Sequence, residues 1–248
     1  MPDRPRIFVG TMHCGEGDFA ECCKALAGQQ GAEVTHVIIA DLPEKEAHNR
    51  LWQAWRDAKA DHDLFVKVDA DTVLAHNEVL LEFWKMTQAN PRITGIQAPL
   101  LDYFTDGYIN GLNCFSPRVT FRDTADPLFC DRQVDVDHDV VIKADGVSPR
   151  LRHAGYHCYH ATDRQAFHFG LHRALKNQRH VIELVRQAQQ RHGDRRRALA
   201  LAGADCAGAF ARGGFNYGDE RFGLAFDEAL AMLALDSMNV CFTANKSK

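Results

Sequence analysis

The chain has 248 residues, 46% of them hydrophobic and 25% charged, and its formal net charge is −4. These values are typical of a globular protein, and the negative charge argues against a nucleic-acid binder that works through a general basic field. No run approaches the roughly 18 apolar residues that span a bilayer, and the polar start lacks the apolar core of a signal peptide, so we expect a cytoplasmic protein with at most a peripheral membrane association.

Three apolar segments alternate with two amphipathic ones in the first part of the chain. Strands are predicted at 6–11, 34–40 and 64–68, and helices at 19–30 and 43–60. This order implies parallel strands joined by right-handed crossovers, with helices on both faces of the sheet. Ligands bind such sheets at the carboxyl ends of the strands. The polar residues at these ends are Thr11, Asp41, Asp69 and Asp71, and we expect them to converge on one crevice.

The rest of the chain becomes mixed and then helical. We predict a helix at 76–90, strands at 93–97, 108–119, 134–143 and 155–160, one long helix at 167–190, and further helices from 195 and at 219–235. The expected fold class is therefore α/β, with a mixed, mainly parallel sheet flanked by helices. We divide the chain into a domain at 1–162 and a helical C-terminal extension at 163–248 that packs on it. The eight cysteines are scattered, and most are expected to be reduced core residues.

Two carboxylates separated by one residue, Asp69 and Asp71, end the third strand. Hard oxygen ligands of this kind can hold a divalent cation that bridges the protein to the phosphates of a substrate. An acidic turn that caps the next helix is the alternative, because Asp and Thr favour helix starts.

A second acidic run lies at 134–140. Strand alternation would place Asp135, Asp137 and Asp139 on one face, where three like charges cost stability unless the face is solvated or binds a cation or hydroxyl groups. The run is therefore either a solvated edge strand or a source of a carboxylate base.

Histidines are concentrated late in the chain. His160, at the end of its predicted strand, is the first candidate for a further metal or phosphate ligand, and His157 is the second. His168 and His172 have the four-residue spacing that lets two helical histidines share a metal, although such a pair more often forms a polar helix face.

In this order of elements, the Asp-Xaa-Asp (DxD) motif Asp69-Ala70-Asp71, the run 111–116, the acidic cluster and the late histidines resemble the glycosyltransferases of the GT-A fold, most nearly the family 2 group. The resemblance covers roughly residues 6–176. It implies a GT-A-like, Rossmann-like fold and transfer of a hexosyl or related sugar from a nucleoside-diphosphate sugar. The acceptor would be a saccharide, a lipid or another small molecule, and no nucleic-acid partner is expected.

The resemblance also implies roles for single residues. Asp69 and Asp71 would hold Mn²⁺ or Mg²⁺ on the donor diphosphate, with His160 as a further metal ligand. Thr11, Asp41, Asn49 and Asp69 would contact the nucleotide, and Asp137, or else Asp135, would be the catalytic base. The usual Asp-Asp-Gly-Ser sequence is replaced by Asp41-Leu42-Pro43, which leaves the base of the nucleotide open. His48 could also reach the donor.

Two other functions fit the same sequence. A nucleotidyltransferase acting on a sugar phosphate also places nucleotide phosphates at the ends of parallel strands, but residues 12–18 contain none of the Lys or Arg that its glycine-rich loop usually carries. A non-enzymatic metal-binding or assembly module would use the same Asp, His and Cys residues structurally. The C-terminal helices could serve packing, acceptor shaping or contact in a homodimer.

Overall fold

The computed structural model describes residues 4–130, 134–135, 140–144, 148–210 and 218–244. The chain divides into two compact units, Met1–His160 and Ala161–Lys248. All the described strands belong to the first unit, and the second is built from helices. None of the helices in the described part of the chain is long and apolar enough to cross a membrane.

The first unit contains strands and helices that alternate along its N-terminal part. The strands are β1 (Arg6–His13), β2 (Glu33–Ala40), β3 (Leu64–Lys67), β4 (Thr72–Leu74), β5 (Ile93–Asp102), β6 (Gly107–Phe115), β7 (Thr120–Phe121), β8 (Val134–Asp135), β9 (Val140–Lys143) and β10 (Gly155–His157). The helices are α1 (Phe19–Ala27), α2 (Glu44–Ala58) and α3 (Val79–Ala89).

The main sheet has the strand order β2-β1-β3-β6-β5-β10-β4, and β9 pairs with β5 beside this path. Strands β1, β2 and β3 are parallel, as are the pairs β5–β10 and β5–β9, whereas β6 runs antiparallel to β3 and β5, and β4 antiparallel to β10. The carboxyl ends of β1, β2 and β3 therefore meet at one edge. A separate pair joins β7 to β8.

Strand alternation explains why both faces of the sheet are covered. Ile7 and Val9 on β1 belong to one buried cluster with residues of α1 and α3, and Phe8, between them, belongs to a second cluster with Trp52 and Trp55 of α2. All five side chains are 2% exposed or less. Strands buried on both faces are near-continuous apolar runs, as the sequence of β1 and β3 shows.

The described part of the second unit contains four α-helices, namely α4 (Asp163–Leu175), α5 (Arg179–His192), α6 (Arg195–Asp205) and α7 (Glu220–Ala244), and a short 3-10 helix at Cys206–Ala209. Thr162 and Gln165 form a reciprocal capping box at the start of α4. Helices α4 and α6 approach closely at glycines, because a Cβ atom on Gly170 would overlap the carbonyl oxygen of Ala200.

Several predicted boundaries differ from the observed ones. The helix predicted at 167–190 is two helices, because Asn177 between α4 and α5 has φ 56°, a left-handed conformation that ends a helix. The strand predicted at 108–119 ends at Phe115, and that predicted at 155–160 ends at His157. Of the strand predicted at 134–143, β8 and β9 are observed, and residues 136–139 lie outside the described residues.

The sheet confirms the predicted fold class. It is a mixed α/β sheet, consistent with a GT-A-like fold, in which four of the seven described pairings of the main sheet are parallel, with helices on both faces and a helical C-terminal unit.

Candidate metal and nucleotide site

The polar residues predicted at the ends of β1 and β2 have different surroundings. Thr11 is fully buried, and its hydroxyl Oγ1 lies 2.9 Å from Nε2 of His36 on β2. Asp41 follows β2 with φ 57°, its N–H donates to the carbonyl of His13, and its side chain is exposed. Asp41 is therefore open to solvent at this edge, whereas the Thr11 side chain links β1 to β2 through His36.

Asp69 and Asp71 lie in a tight turn between two strands. Asp69 accepts a hydrogen bond at its carbonyl oxygen from the N–H of Thr72, the first residue of β4, at 2.9 Å. Helix α3 begins only at Val79. Neither carboxylate caps a helix, so the turn presents both at the edge of the sheet.

Asp71 is held by the end of β10. Its Oδ2 accepts a hydrogen bond from the thiol of Cys158 at 3.1 Å, and its carbonyl oxygen accepts one from the N–H of Cys158 at 2.9 Å. Its Oδ1 lies 3.5 Å from Nε2 of His157. A carboxylate, an imidazole and a thiol thus come together, with their ligand atoms within 4.8 Å of one another.

The second ring nitrogen of His157, Nδ1, is held by a buried carboxylate. Asp102, at the end of β5, accepts at Oδ1 from Nδ1 of His157 at 2.7 Å, and at Oδ2 from the N–H and the hydroxyl of Thr105, both at 2.7 Å. Burial acts to raise the pKa of Asp102, but the contacts with His157 and Thr105 outweigh it, and the pKa lies below its ordinary value.

An ionised carboxylate only accepts hydrogen bonds, so Nδ1 of His157 carries the proton and Nε2 faces Asp71. Histidines that bind metals commonly have this arrangement, in which a carboxylate holds the second ring nitrogen and sets the tautomer.

Asp69 has a cationic neighbour that the sequence reasoning missed. The ammonium of Lys67 contacts Oδ1 of Asp69, and 42% of the Asp69 side chain is exposed, against 18% for Asp71. Burial acts to raise the pKa of Asp69, but Lys67, with smaller effects from His157 and His48, holds it below the ordinary value. Asp69 is therefore ionised on the open side of the turn.

His160, predicted as a further metal ligand, lies against Asp18, and its role as a ligand stays a prediction. Its N–H and Nδ1 both bond to the carboxylate of Asp18, with a ring contact of 2.7 Å, and its side chain is 70% exposed. Cys158 has φ 61°, so the chain turns after His157 and carries His160 to the residue that precedes α1. The structure thus brings His157, the second candidate, to Asp71 in place of His160.

Asn49 has a structural contact. Its amide Nδ2 donates to the carbonyl of Thr124 at 3.1 Å, and its Oδ1 accepts from the N–H of Thr124 at 2.7 Å. The amide therefore fastens the loop that follows β7 to α2, and a contact between Asn49 and a nucleotide stays a prediction.

The side chains of the predicted catalytic bases, Asp137 and Asp135, lie outside the described part of the structure. Asp137 and Asp139 lie outside the described residues, and Asp135 belongs to β8, where its backbone pairs with Thr120 of β7. The assignment of Asp137 or Asp135 as a base stays a prediction.

Three contributors to the site were not found from the sequence, namely Lys67, Asp102 and Cys158. Asp102 carried a usable signal, because a carboxylate that ends an otherwise apolar strand is costly to bury without a partner. Lys67 also carried a signal, because strand alternation directs residues two apart to the same face and Asp69 is two residues later. Cys158 had none, since only its contact with Asp71, 87 residues away in sequence, identifies it.

Comparisons with known proteins give distant structural similarity only. No protein-family model and no curated protein matches the chain. One similar structure is the mannosyltransferase PcManGT from Pyrobaculum calidifontis in complex with GDP-Man and Mn²⁺, with 13% identity, a TM-score of 0.45, and coverage of 99% of this chain and 83% of that one. Another is a glycosyltransferase involved in the glycosylation of the major capsid of PBCV-1, with 15% identity, a TM-score of 0.31, and coverage of 45% of this chain and 60% of that one.

Proposed function

We propose that this chain is a metal-dependent glycosyltransferase that moves a sugar from a nucleoside-diphosphate sugar to an acceptor. The observation that carries the proposal is the connected series Asp102, His157 and Asp71 beside the open carboxylate of Asp69. These groups lie near the ends of parallel strands, where α/β sheets bind their ligands.

The donor groups fit a divalent cation. Asp71 offers carboxylate oxygen and His157 offers imidazole nitrogen with its tautomer already set, which suits Mn²⁺ and also, through oxygen, Mg²⁺. When bound, such an ion supplies Lewis-acid stabilisation of the charge that develops on a nucleoside-diphosphate leaving group. Asp71 and His157 would hold the ion, and Asp69 lies close enough in sequence and on the open side to assist.

The remaining residues have roles in positioning. Asp102 keeps the His157 ring oriented, and Lys67 keeps Asp69 ionised, so the imidazole and the Asp69 carboxylate have their binding forms before the donor arrives. Asp41 is exposed at the neighbouring strand end and is our candidate for contact with the nucleoside. Removal of the acceptor proton is assigned to Asp137, with Asp135 as the second choice.

Isothermal titration with UDP, GDP, CDP and ADP, each with and without Mn²⁺, tests the proposal. We expect one diphosphate to bind in a manner that depends on Mn²⁺, and the corresponding monophosphate to bind more weakly because it lacks the bridging phosphate. If no diphosphate binds under either condition, the transferase proposal is wrong. The nucleotide that binds then defines the donors to be assayed for sugar transfer.

A further inference from the structure

A second group of possible metal ligands lies where helix α2 meets the loop after β7. Glu44, His48 and Cys130 offer ligand atoms that all lie within 4.8 Å of one another. His48 and Cys130 are buried, and Glu44 is half-buried. The proposed transferase reaction gives these residues no role.

The sequence brings the three residues together in two steps. Glu44 is the first residue of α2 and His48 is four residues later, so both side chains lie on one face of the helix. Cys130 comes from the loop after β7, which is already fastened to α2 through Asn49 and Thr124. The thiol of Cys130 donates to the carbonyl of Asp126 at 3.1 Å, so the loop positions its own ligand.

The ring of His48 is held in one orientation. Its Nδ1 lies 2.9 Å from the carbonyl oxygen of Glu44, and because a carbonyl only accepts, Nδ1 must donate. The ring also packs on Trp52, with ring centroids 5.4 Å apart. A backbone carbonyl on one imidazole nitrogen is a common second contact of a metal-binding histidine, and it leaves Nε2 as the coordinating atom.

The geometry points to a zinc-class ion bound by Glu44, His48 and Cys130. Zinc binds sulfur at about 2.3 Å and nitrogen or oxygen at about 2.0–2.2 Å, so in a tetrahedral site its ligand atoms lie roughly 3.3–3.7 Å apart. The ligand atoms of Glu44, His48 and Cys130 lie within 4.8 Å of one another and would draw closer around the ion. Carboxylate, imidazole and thiolate together favour Zn²⁺ over the harder Mg²⁺, with a water molecule completing four-fold coordination. On binding, the thiol proton of Cys130 is released to solvent.

Such an ion would join α2 to the loop that contains Thr124 and Cys130. The Asn49 amide already makes one connection between these segments, and the ion would add a second, one helical position away. We assign the ion a structural role, because it would connect two segments through the buried side chains of His48 and Cys130.

Cobalt provides a direct test, because a Co²⁺–thiolate bond gives a charge-transfer absorption that oxygen and nitrogen ligands do not give. The full chain would be stripped of metal with a chelator and titrated with Co²⁺ without nucleotide. Since Cys158 beside Asp71 could also contribute a thiolate, the matched variants are Cys158→Ser, Cys130→Ser and the double variant. We expect the band to persist in Cys158→Ser and to be lost in Cys130→Ser and in the double variant.

Zinc affinity supplies the second readout. In competition with a chromophoric chelator, Cys130→Ser and His48→Gln should each weaken Zn²⁺ binding by about tenfold or more, while Cys206→Ser, a cysteine of the helical unit, should bind as the wild type does. Zn²⁺ should also raise the thermal midpoint of the wild-type chain, because the assembled site binds the ion more tightly than the unfolded chain does.

Two results would overturn the assignment. One is a thiolate band that disappears in Cys158→Ser and persists in Cys130→Ser. The other is Zn²⁺ affinity unchanged in both His48→Gln and Cys130→Ser. If Cys130→Ser does not fold, Glu44→Gln replaces it in the Zn²⁺ titration, because glutamine removes the charge of this half-buried side chain and keeps its volume.

Discussion

The two ligand groups of the first unit have the same chemical composition but different supports. Each contains one carboxylate, one imidazole and one thiol, namely Asp71, His157 and Cys158 in one and Glu44, His48 and Cys130 in the other. In the first, Nδ1 of the histidine is held by the buried carboxylate of Asp102, and in the second, by the backbone carbonyl of Glu44. A side chain therefore fixes one ring and the main chain fixes the other.

This difference assigns different tasks to the two groups. An ionised carboxylate behind a histidine raises the basicity of the ligand nitrogen more than a neutral carbonyl does. The first group also has the open carboxylate of Asp69 next to it, where a substrate could share the ion. Both groups have a buried histidine and a buried thiol, so it is the main-chain support of the His48 ring that suits the second group to an ion held for stability. We therefore expect substitutions at the first group to affect transfer most.

The largest effect is expected for Asp71→Asn. The amide removes the charge that holds the cation but preserves the shape of the turn. Because Lewis-acid stabilisation of a leaving group contributes several kcal/mol, kcat/KM for transfer should fall by about 10²–10³-fold or more. The measurement is a transfer assay with the donor identified by titration, together with nucleotide binding in the presence of Mn²⁺.

Glu183→Gln is the control for this variant. Glu183 is an exposed carboxylate of α5 that pairs with Arg186, so the substitution removes one negative charge from the helical unit, which contains neither ligand group. It should leave transfer unchanged. Transfer at the wild-type rate by Asp71→Asn, with the protein shown to be folded by circular dichroism, would contradict the role assigned to Asp71.

A smaller effect is expected for Asp102→Asn, which acts through His157. The asparagine amide can turn its NH₂ toward Nδ1, which moves the ring proton to Nε2 and blocks the ligand nitrogen. We expect the affinity for Mn²⁺ alone, measured by titration, to fall by about 10–100-fold. Asp102→Glu keeps the charge and should recover part of the affinity. Equal losses in both variants would indicate that Asp102 supports only the fold.

The sequence predicted the fold more fully than it predicted the site. Strands β1, β2 and β3 were found because strands buried on both faces must be continuous apolar runs, and this pattern is local. The turn of Asp69 and Asp71 was found for the same reason, since it ends such a run. Whether His157 or His160 approaches Asp71 depends on the left-handed turn at Cys158, and no local pattern predicts a positive φ at a cysteine.

A selective effect is expected for Cys158→Ser. Serine keeps a hydrogen-bond donor to Asp71 but removes the soft sulfur ligand. Affinity for Mn²⁺ should change by less than about threefold, whereas affinity for the thiophilic ion Cd²⁺ at this site should fall about tenfold. The measurement is a pair of titrations in a Cys130→Ser background, so that the second group does not contribute sulfur. A parallel loss for both ions would show that Cys158 is needed for the shape of the site.

No effect on cation affinity is expected for His168→Gln, which instead tests the helical unit. The rings of His168 and His172 stack with centroids 5.3 Å apart, and neither residue belongs to a ligand group within the described residues. Burial, with help from the charges of Lys176 and Arg173, lowers the pKa of His168 to about 3. Because cationic neighbours repel a metal ion, this arrangement favours one of the two alternatives for His168 and His172, a polar helix face, over the other, a metal shared between the two rings.

The low pKa of His168 makes stability depend on pH. The unfolded chain takes up the proton near the ordinary histidine pKa of about 6.5, whereas the folded chain does so only near 3, so the free energy of unfolding should fall as the pH decreases between these values. His168→Gln removes the contribution of this histidine to the pH dependence of the free energy of unfolding and leaves the other histidines unchanged. Urea unfolding followed by circular dichroism at pH 7 and pH 5 should therefore show a smaller loss of stability in the variant than in the wild type. Equal losses would mean that His168 is protonated in the folded state, and the stacked pair would then need another explanation.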